Sequence, residues 1–269
     1  MKKDKIGGLE VWTFRPNGFL QDMVPVVIVP GASARGIMGG NIAETLRQLG
    51  RVTYLVSLPG HGDSELRRGK PLGHHSLDDF SKGLRVFFET LGTRVDAWGH
   101  SMGGAVIQEQ FSSGLIRNAV LIGSPVPRVP LLSKFEIARR AAKYWKAIVF
   151  WRKFHYGKDD YLAMLLNETP RKEAEALFGG TVPESGRAIA QVCTGCFRFP
   201  SAVRIERLLV VSSRSDLMTP AYMGRLLYRK YRRHCPTKHM LLDGDHMKIF
   251  LKGSCNEVTA IAWSFPCLA

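Results

Sequence analysis

The hexapeptide Gly99-His100-Ser101-Met102-Gly103-Gly104 constrains this chain more than any other segment. It has the G-x-S-x-G spacing of a serine held on a very tight strand-to-helix turn. The reason for the spacing is steric: the residues two before and two after the serine nearly touch, so only glycine or something as small fits. The flanks agree. Residues 94–98, Arg-Val-Asp-Ala-Trp, read as a short buried strand, and residues 104–111 read as a helix that starts with small side chains. A serine presented this way is a candidate nucleophile.

Strand and helix patterns alternate along the rest of the chain. Candidate strands cover 9–14, 26–29, 51–56, 118–123, 207–211 and 239–242. A helix is expected over 41–49, and another from Ser76 to about Leu91, where Ser76 and Asp79 fit a capping box. Such alternation predicts an α/β fold, with a mostly parallel central sheet flanked by helices. From Ser124 to about Ile205 the strand rhythm stops, and the chain becomes helical, aromatic and basic. This segment follows the sixth strand. It is expected to lie over the carboxyl edge of the sheet, where open α/β sheets bind ligands. The division is therefore a core of 1–124 and 206–269 with a helical cap at 125–205.

A nucleophilic serine needs a base within hydrogen-bond reach and a group that orients the base. Asp216 comes just after the strand 207–211, and His246 just after the strand 239–242. Both fall at strand carboxyl ends, on the edge that carries Ser101. The order Ser, acid, His is that of one known arrangement on such sheets. After the strand 118–123 no carboxylate appears before Glu136, which leaves Asp216 as the acid. Asp243 and Asp245 are nearer His246 in sequence but read as loop residues.

With these residues in hand, the chain resembles the α/β-hydrolase superfamily, as a serine-nucleophile member with a helical cap, over nearly its whole length. Leu58-Pro59-Gly60-His61-Gly62-Asp63-Ser64 is similar to the loop after the family's fourth strand, and Pro30-Gly31-Ala32-Ser33 occupies its oxyanion loop. Many members have His-Gly where this chain has Pro-Gly. The resemblance implies oxyanion donors at the backbone N–H groups of Ala32 and Met102. It implies an acyl pocket bordered by Ser33, His100, Trp145, Phe150 and Met218, with no cofactor. The implied activity is hydrolysis of a carboxylic ester with a moderately hydrophobic acyl group. A thioesterase acting on carrier-bound acyl groups, a carbon–carbon bond hydrolase and a non-hydrolysing receptor remain as alternatives. A dehalogenase or epoxide hydrolase would need Asp where Ser101 stands.

The chain of 269 residues carries a formal net charge of +15, which argues for attraction to something anionic. Between Arg128 and Lys158 nine cations face one acid, Glu136, with seven aromatic residues interleaved. An acidic carrier protein or an anionic membrane surface is the expected partner class, ahead of nucleic acid. The basic segment Met1 to Gly8 is not followed by an apolar stretch, so no signal peptide is read and a cytoplasmic location is expected. Five cysteines then read as free thiols. Cys193-Thr194-Gly195-Cys196 lacks a second ligand pair nearby, and His61, His74 and His75 have no metal-ligand spacing, so no metal is expected.

Overall fold

The computed structural model describes residues 1–16, 23–66, 68–131 and 135–263. Among the described residues ten strands occur in the order β1 Lys2–Ile6, β2 Leu9–Phe14, β3 Val26–Val29, β4 Thr53–Val56, β5 Val95–His100, β6 Ile116–Ile122, β7 Lys153–Phe154, β8 Glu184–Ser185, β9 Arg207–Ser213 and β10 Thr237–Leu242. Eight of them form one sheet, in the order β1-β2-β4-β3-β5-β6-β9-β10. Strands β1, β2 and β4 pair antiparallel, and every later pairing in that sheet is parallel.

The central strands are apolar along their whole length because both faces are covered. All four residues of β3, Val-Val-Ile-Val, are buried. Their side chains alternate, Val27 and Val29 on one face, Val26 and Ile28 on the other, and each pair enters a separate apolar cluster. On the first face pack helices α2 Leu77–Leu91, α3 Met102–Gln108 and α9 Ala221–Tyr231; on the second, α1 Gly40–Gln48 and α10 Cys255–Trp263. Helix α2 begins with the expected capping box: the Ser76 side chain accepts from the Asp79 N–H, and the Asp79 carboxylate accepts from the Ser76 N–H at 2.8 Å.

The sequence reading missed β1. Its residues Lys-Lys-Asp-Lys-Ile are mostly exposed, and charged side chains on an edge strand leave no apolar alternation to detect. Ion pairs hold it instead, Lys3 with Glu10 at 2.9 Å and Lys5 with Glu65 at 3.1 Å.

Between β6 and β9 lie α4 Phe135–Ala141, α5 Trp145–Val149, α6 Lys158–Leu165, α7 Arg171–Phe178, α8 Gly186–Thr194 and the small β7–β8 ribbon. These helices do not form a core of their own. Ala188 and Ile189 of α8 join the cluster on one face of the sheet, while Tyr161 and Met164 of α6 join the cluster on the other. Among the described residues no helix is long and apolar enough to cross a membrane.

Candidate active site

Strand β5 runs into Ser101, whose φ is +51° and ψ is −124°, a conformation that L residues rarely adopt. The neighbouring glycines make the turn possible. A Cβ on Gly99 would stand 2.6 Å from the Gly104 Cα, and one on Gly104 would stand 1.8 Å from Ser124 Oγ. The Ser101 N–H donates to the Ile122 carbonyl at 2.8 Å, which ties the turn to β6. Helix α3 starts at the next residue, so the positive end of its dipole points at the serine.

Asp216 follows β9 and is almost fully buried. Its Oδ1 accepts the N–H groups of Met218 and Thr219, both at 2.8 Å, and its Oδ2 accepts His246 Nδ1–H at 2.7 Å. Burial pushes this carboxyl up, but the His246 ring and the Thr219 donors outweigh it and hold the group below the usual Asp value. With Nδ1–H given to Asp216, His246 keeps its lone pair on Nε2. Ser101 and His246 line one pocket, together with Gly31, Ala32 and Met102. No hydrogen bond joins the serine to the imidazole; such contacts in substrate-free sites are commonly long and tighten when substrate binds.

The N–H groups of Ala32 and Met102 have no acceptor among the described residues. Gly31 lets their loop approach the serine, since a Cβ there would stand 2.8 Å from Ser101 Cβ. The loop is gripped from the inserted segment. Ser33, with φ of +57°, donates its N–H to Glu184 Oε2 at 2.7 Å and accepts the Val182 N–H at 2.9 Å. Glu184 is fully buried, as is His61, whose Nε2 lies 3.0 Å from the same carboxylate oxygen. His61 Nδ1 lies 3.1 Å from the Pro59 carbonyl, so both ring nitrogens face acceptors, an arrangement that favours the protonated ring. Burial pushes His61 down, but the Glu184 charge and hydrogen bond more than offset this and raise it.

His100 also lines the pocket. Its Nε2–H donates to the His246 carbonyl at 2.9 Å, which helps fix the base's backbone. Burial first, then the neighbouring His246 charge, push His100 down to about 3, so it stays neutral at ordinary pH. The pocket walls are apolar. Met218 is among the residues that line them, and the inserted segment adds Leu131, Ile137, Tyr144, Ile148 and Tyr156. No Asp, Glu, Lys or Arg lines this pocket among the described residues.

Three expected pocket residues are elsewhere. Trp145 and Phe150 point outward, 51% and 57% exposed. In the turns around α5, Tyr144 and Ile148 share the face toward the pocket, and Trp145 with Val149 occupies the next face round. Ser33, in the same loop as Ala32, is buried and does not line the pocket. The sequence reading missed Glu184, His61 as its partner, and the tyrosines 144 and 156. Aromatic richness of the segment was a signal for the tyrosines; nothing in the spacing announced Glu184. The cysteines 193, 196, 235 and 255 are free thiols, and Cys267 lies outside the described residues. Among the described residues no His, Cys, Asp and Glu cluster could hold a metal.

A doubly covered, mostly parallel sheet with a serine on a strained turn at its carboxyl edge defines the α/β-hydrolase class. The chain belongs to the alpha/beta hydrolase family, whose model matches residues 26–253. Solved structures with the same fold include an esterase from Thermogutta terrifontis, 16% identical over 100% of this chain and 99% of that one, with a TM-score of 0.69. A monoacylglycerol lipase from Paleococcus ferrophilus is 20% identical over 97% and 99%, with a TM-score of 0.69. An enol-lactonase from Burkholderia xenovorans is 16% identical over 97% and 98%, with a TM-score of 0.67. Among curated proteins none matches the chain in sequence.

Proposed function

We propose that this hydrolase is a serine hydrolase that cleaves a neutral carboxylic ester with a moderately hydrophobic acyl group. The observation that carries the proposal is the 2.7 Å Asp216–His246 contact beside the pocket that also contains Ser101. In this reading Ser101 Oγ attacks the acyl carbonyl while His246 Nε2 takes its proton. Asp216 holds the imidazole in the tautomer that leaves Nε2 free and stabilises the imidazolium that forms. The Ala32 and Met102 N–H groups donate to the oxyanion, a contribution worth about 10²–10³ in kcat per donor in comparable sites. His246 then protonates the departing alkoxide, leaving an acyl-enzyme. Water, deprotonated by the same imidazole, attacks the acyl carbonyl, and Ser101 leaves with the proton returned to it. The absence of charged side chains from the described pocket lining favours a neutral acyl group, because burying an unpaired charge there is costly.

The test is turnover of p-nitrophenyl esters of increasing acyl length by the purified protein and by Ser101→Ala. The reading expects a preference for medium acyl chains over acetate, and loss of turnover in the variant. Turnover that persists undiminished in Ser101→Ala would contradict it. Turnover confined to thioesters or to carbon–carbon substrates would keep the serine but replace the substrate class.

A further inference from the structure

The outer surface of the inserted segment departs from the usual polar exterior. Trp145, Val149, Phe150 and Trp151 follow within one helix and the turn after it, and are 51%, 60%, 57% and 41% exposed. Single exposed apolar side chains are ordinary, but four large ones within residues 145–151 mark an interaction surface. Cations stand among them. Lys146 Nζ lies 5.8 Å over the Trp145 ring, the Arg152 guanidinium 5.8 Å over Phe150, and that of Arg187 4.7 Å over Trp151. Lys146, Arg152 and Arg187 have no carboxylate partner among the described residues.

The turn is built rather than loose. Trp151 has φ of +50°, a conformation that costs energy for a bulky residue. The surroundings hold it there: the Arg152 N–H donates to the Ala147 carbonyl at 2.8 Å, and the Gly186 N–H donates to the Arg152 carbonyl at 3.1 Å. Gly73 and Gly186 pack flush on this backbone, where a Cβ on either would fall 2.4 Å from the Trp151 carbonyl or 2.0 Å from that of Ala147. The aromatic side chains are therefore presented outward on a fixed frame.

We propose that this face docks on an anionic lipid surface. Trp145, Val149, Phe150 and Trp151 enter the interfacial layer, and Lys146, Arg152 and Arg187 meet the headgroup phosphates. Indole rings and amphipathic cations suit that boundary, which has an apolar side and a wet, negatively charged side. The net charge of +15 adds long-range attraction to it. The four apolar side chains need an apolar layer beside the anionic one, which the acyl boundary beneath the headgroups supplies. The docked helix is also a wall of the apolar pocket, through Ile148 and the preceding Tyr144. A lipid-dissolved substrate would thus be held next to Ser101. Docking itself is independent of the chemistry; this last consequence rests on the serine-hydrolase reading.

The test is co-sedimentation of the full chain with vesicles of phosphatidylcholine alone and of phosphatidylcholine mixed with phosphatidylglycerol, with an acyl carrier protein offered separately. The proposal expects partition onto the mixed vesicles, weakened about tenfold or more in a Trp145→Ser/Phe150→Ser variant of unchanged thermal stability. A Lys146→Glu/Arg152→Glu variant is expected to lose the preference for phosphatidylglycerol. Both variants should hydrolyse a water-soluble ester as the parent does. Failure of the parent protein to bind either vesicle overturns the proposal, as does equal binding by the Trp145→Ser/Phe150→Ser variant. Capture by the carrier protein with no vesicle binding replaces the lipid by a protein partner. Because sedimentation does not involve Ser101 chemistry, a protein that docks but hydrolyses nothing would sink the hydrolase reading and leave docking intact.

Discussion

Glu184 of the inserted segment accepts the N–H of Ser33 at 2.7 Å, one residue from the candidate oxyanion donor Ala32. A loop at the sheet edge is thus held by a carboxylate that lies between β6 and β9 in the chain. The same carboxylate meets His61 at 3.0 Å and the Ser185 N–H at 2.6 Å, so the segment over the pocket and the loop beneath it share one buried anion. The position of the Ala32 N–H therefore depends on a residue far from it in sequence.

Replacing Glu184 tests that dependence. Glu184→Gln keeps the shape but removes the charge that holds the Ser33 N–H and His61. We expect kcat to fall by about tenfold or more with a smaller change in KM, since a misplaced donor affects the transition state more than the bound substrate. Glu184→Ala leaves the donors of Ser33, Ser185 and His61 buried without their acceptor and should cost about 1–3 kcal/mol of stability for each one left unpaired. Steady-state kinetics and urea unfolding check the two variants.

The His61–Glu184 pair also carries a pH dependence. The folded-state pKa of His61 is raised above its ordinary 6.5 because the Glu184 charge and hydrogen bond outweigh burial. The pair's stabilisation is then complete below 6.5 and is lost as pH rises through the raised folded value, where the ring gives up its proton. Ring nitrogen shifts measured by NMR should show both His61 nitrogens protonated at about pH 6. Unfolding free energy should decline as pH rises above about 6.5 and through the raised folded value. A His61 ring that is neutral at pH 6 would contradict this account of the pair.

Ile148 offers a handle on acyl size. It lines the pocket from α5, in a segment packed against the body where Gly73 meets the backbone of Trp151 and Lys153. Ile148→Trp adds bulk inside an apolar cavity and should shift the preference along an ester series toward shorter chains. One methylene in such a pocket is worth about 1–3 kcal/mol of discrimination. The kcat/KM ratio between a long and a short p-nitrophenyl ester reads the shift directly; an unchanged ratio would mean that the acyl group does not reach Ile148.

Where the sequence was readable, the physics was local. The apolar runs of β3, β5, β6 and β9 announced buried parallel strands, and the glycines around Ser101 announced the tight turn. Asp216 and His246 could be paired from the sequence because each lies in the loop after a strand, and parallel strands bring their carboxyl ends to one edge. Strand β1 was not legible because its charged residues pair with Glu10 and Glu65 rather than with an apolar face. Trp145 and Phe150 were expected inside on aromatic character alone, but a five-residue helix is too short for periodicity to say which face turns inward. Glu184 could not be found from spacing at all: its partners Ser33 and His61 lie 151 and 123 residues away, and only the fold joins them.

The central claim is that Ser101 is the nucleophile. The most direct measurement is mass spectrometry of the intact protein and its peptides after reaction with a fluorophosphonate, on the parent chain and on Ser101→Ala. The account predicts a single adduct on the peptide that contains Ser101, absent in the variant and slowed in His246→Ala. No adduct on the parent protein, or an adduct that remains in Ser101→Ala, would contradict it.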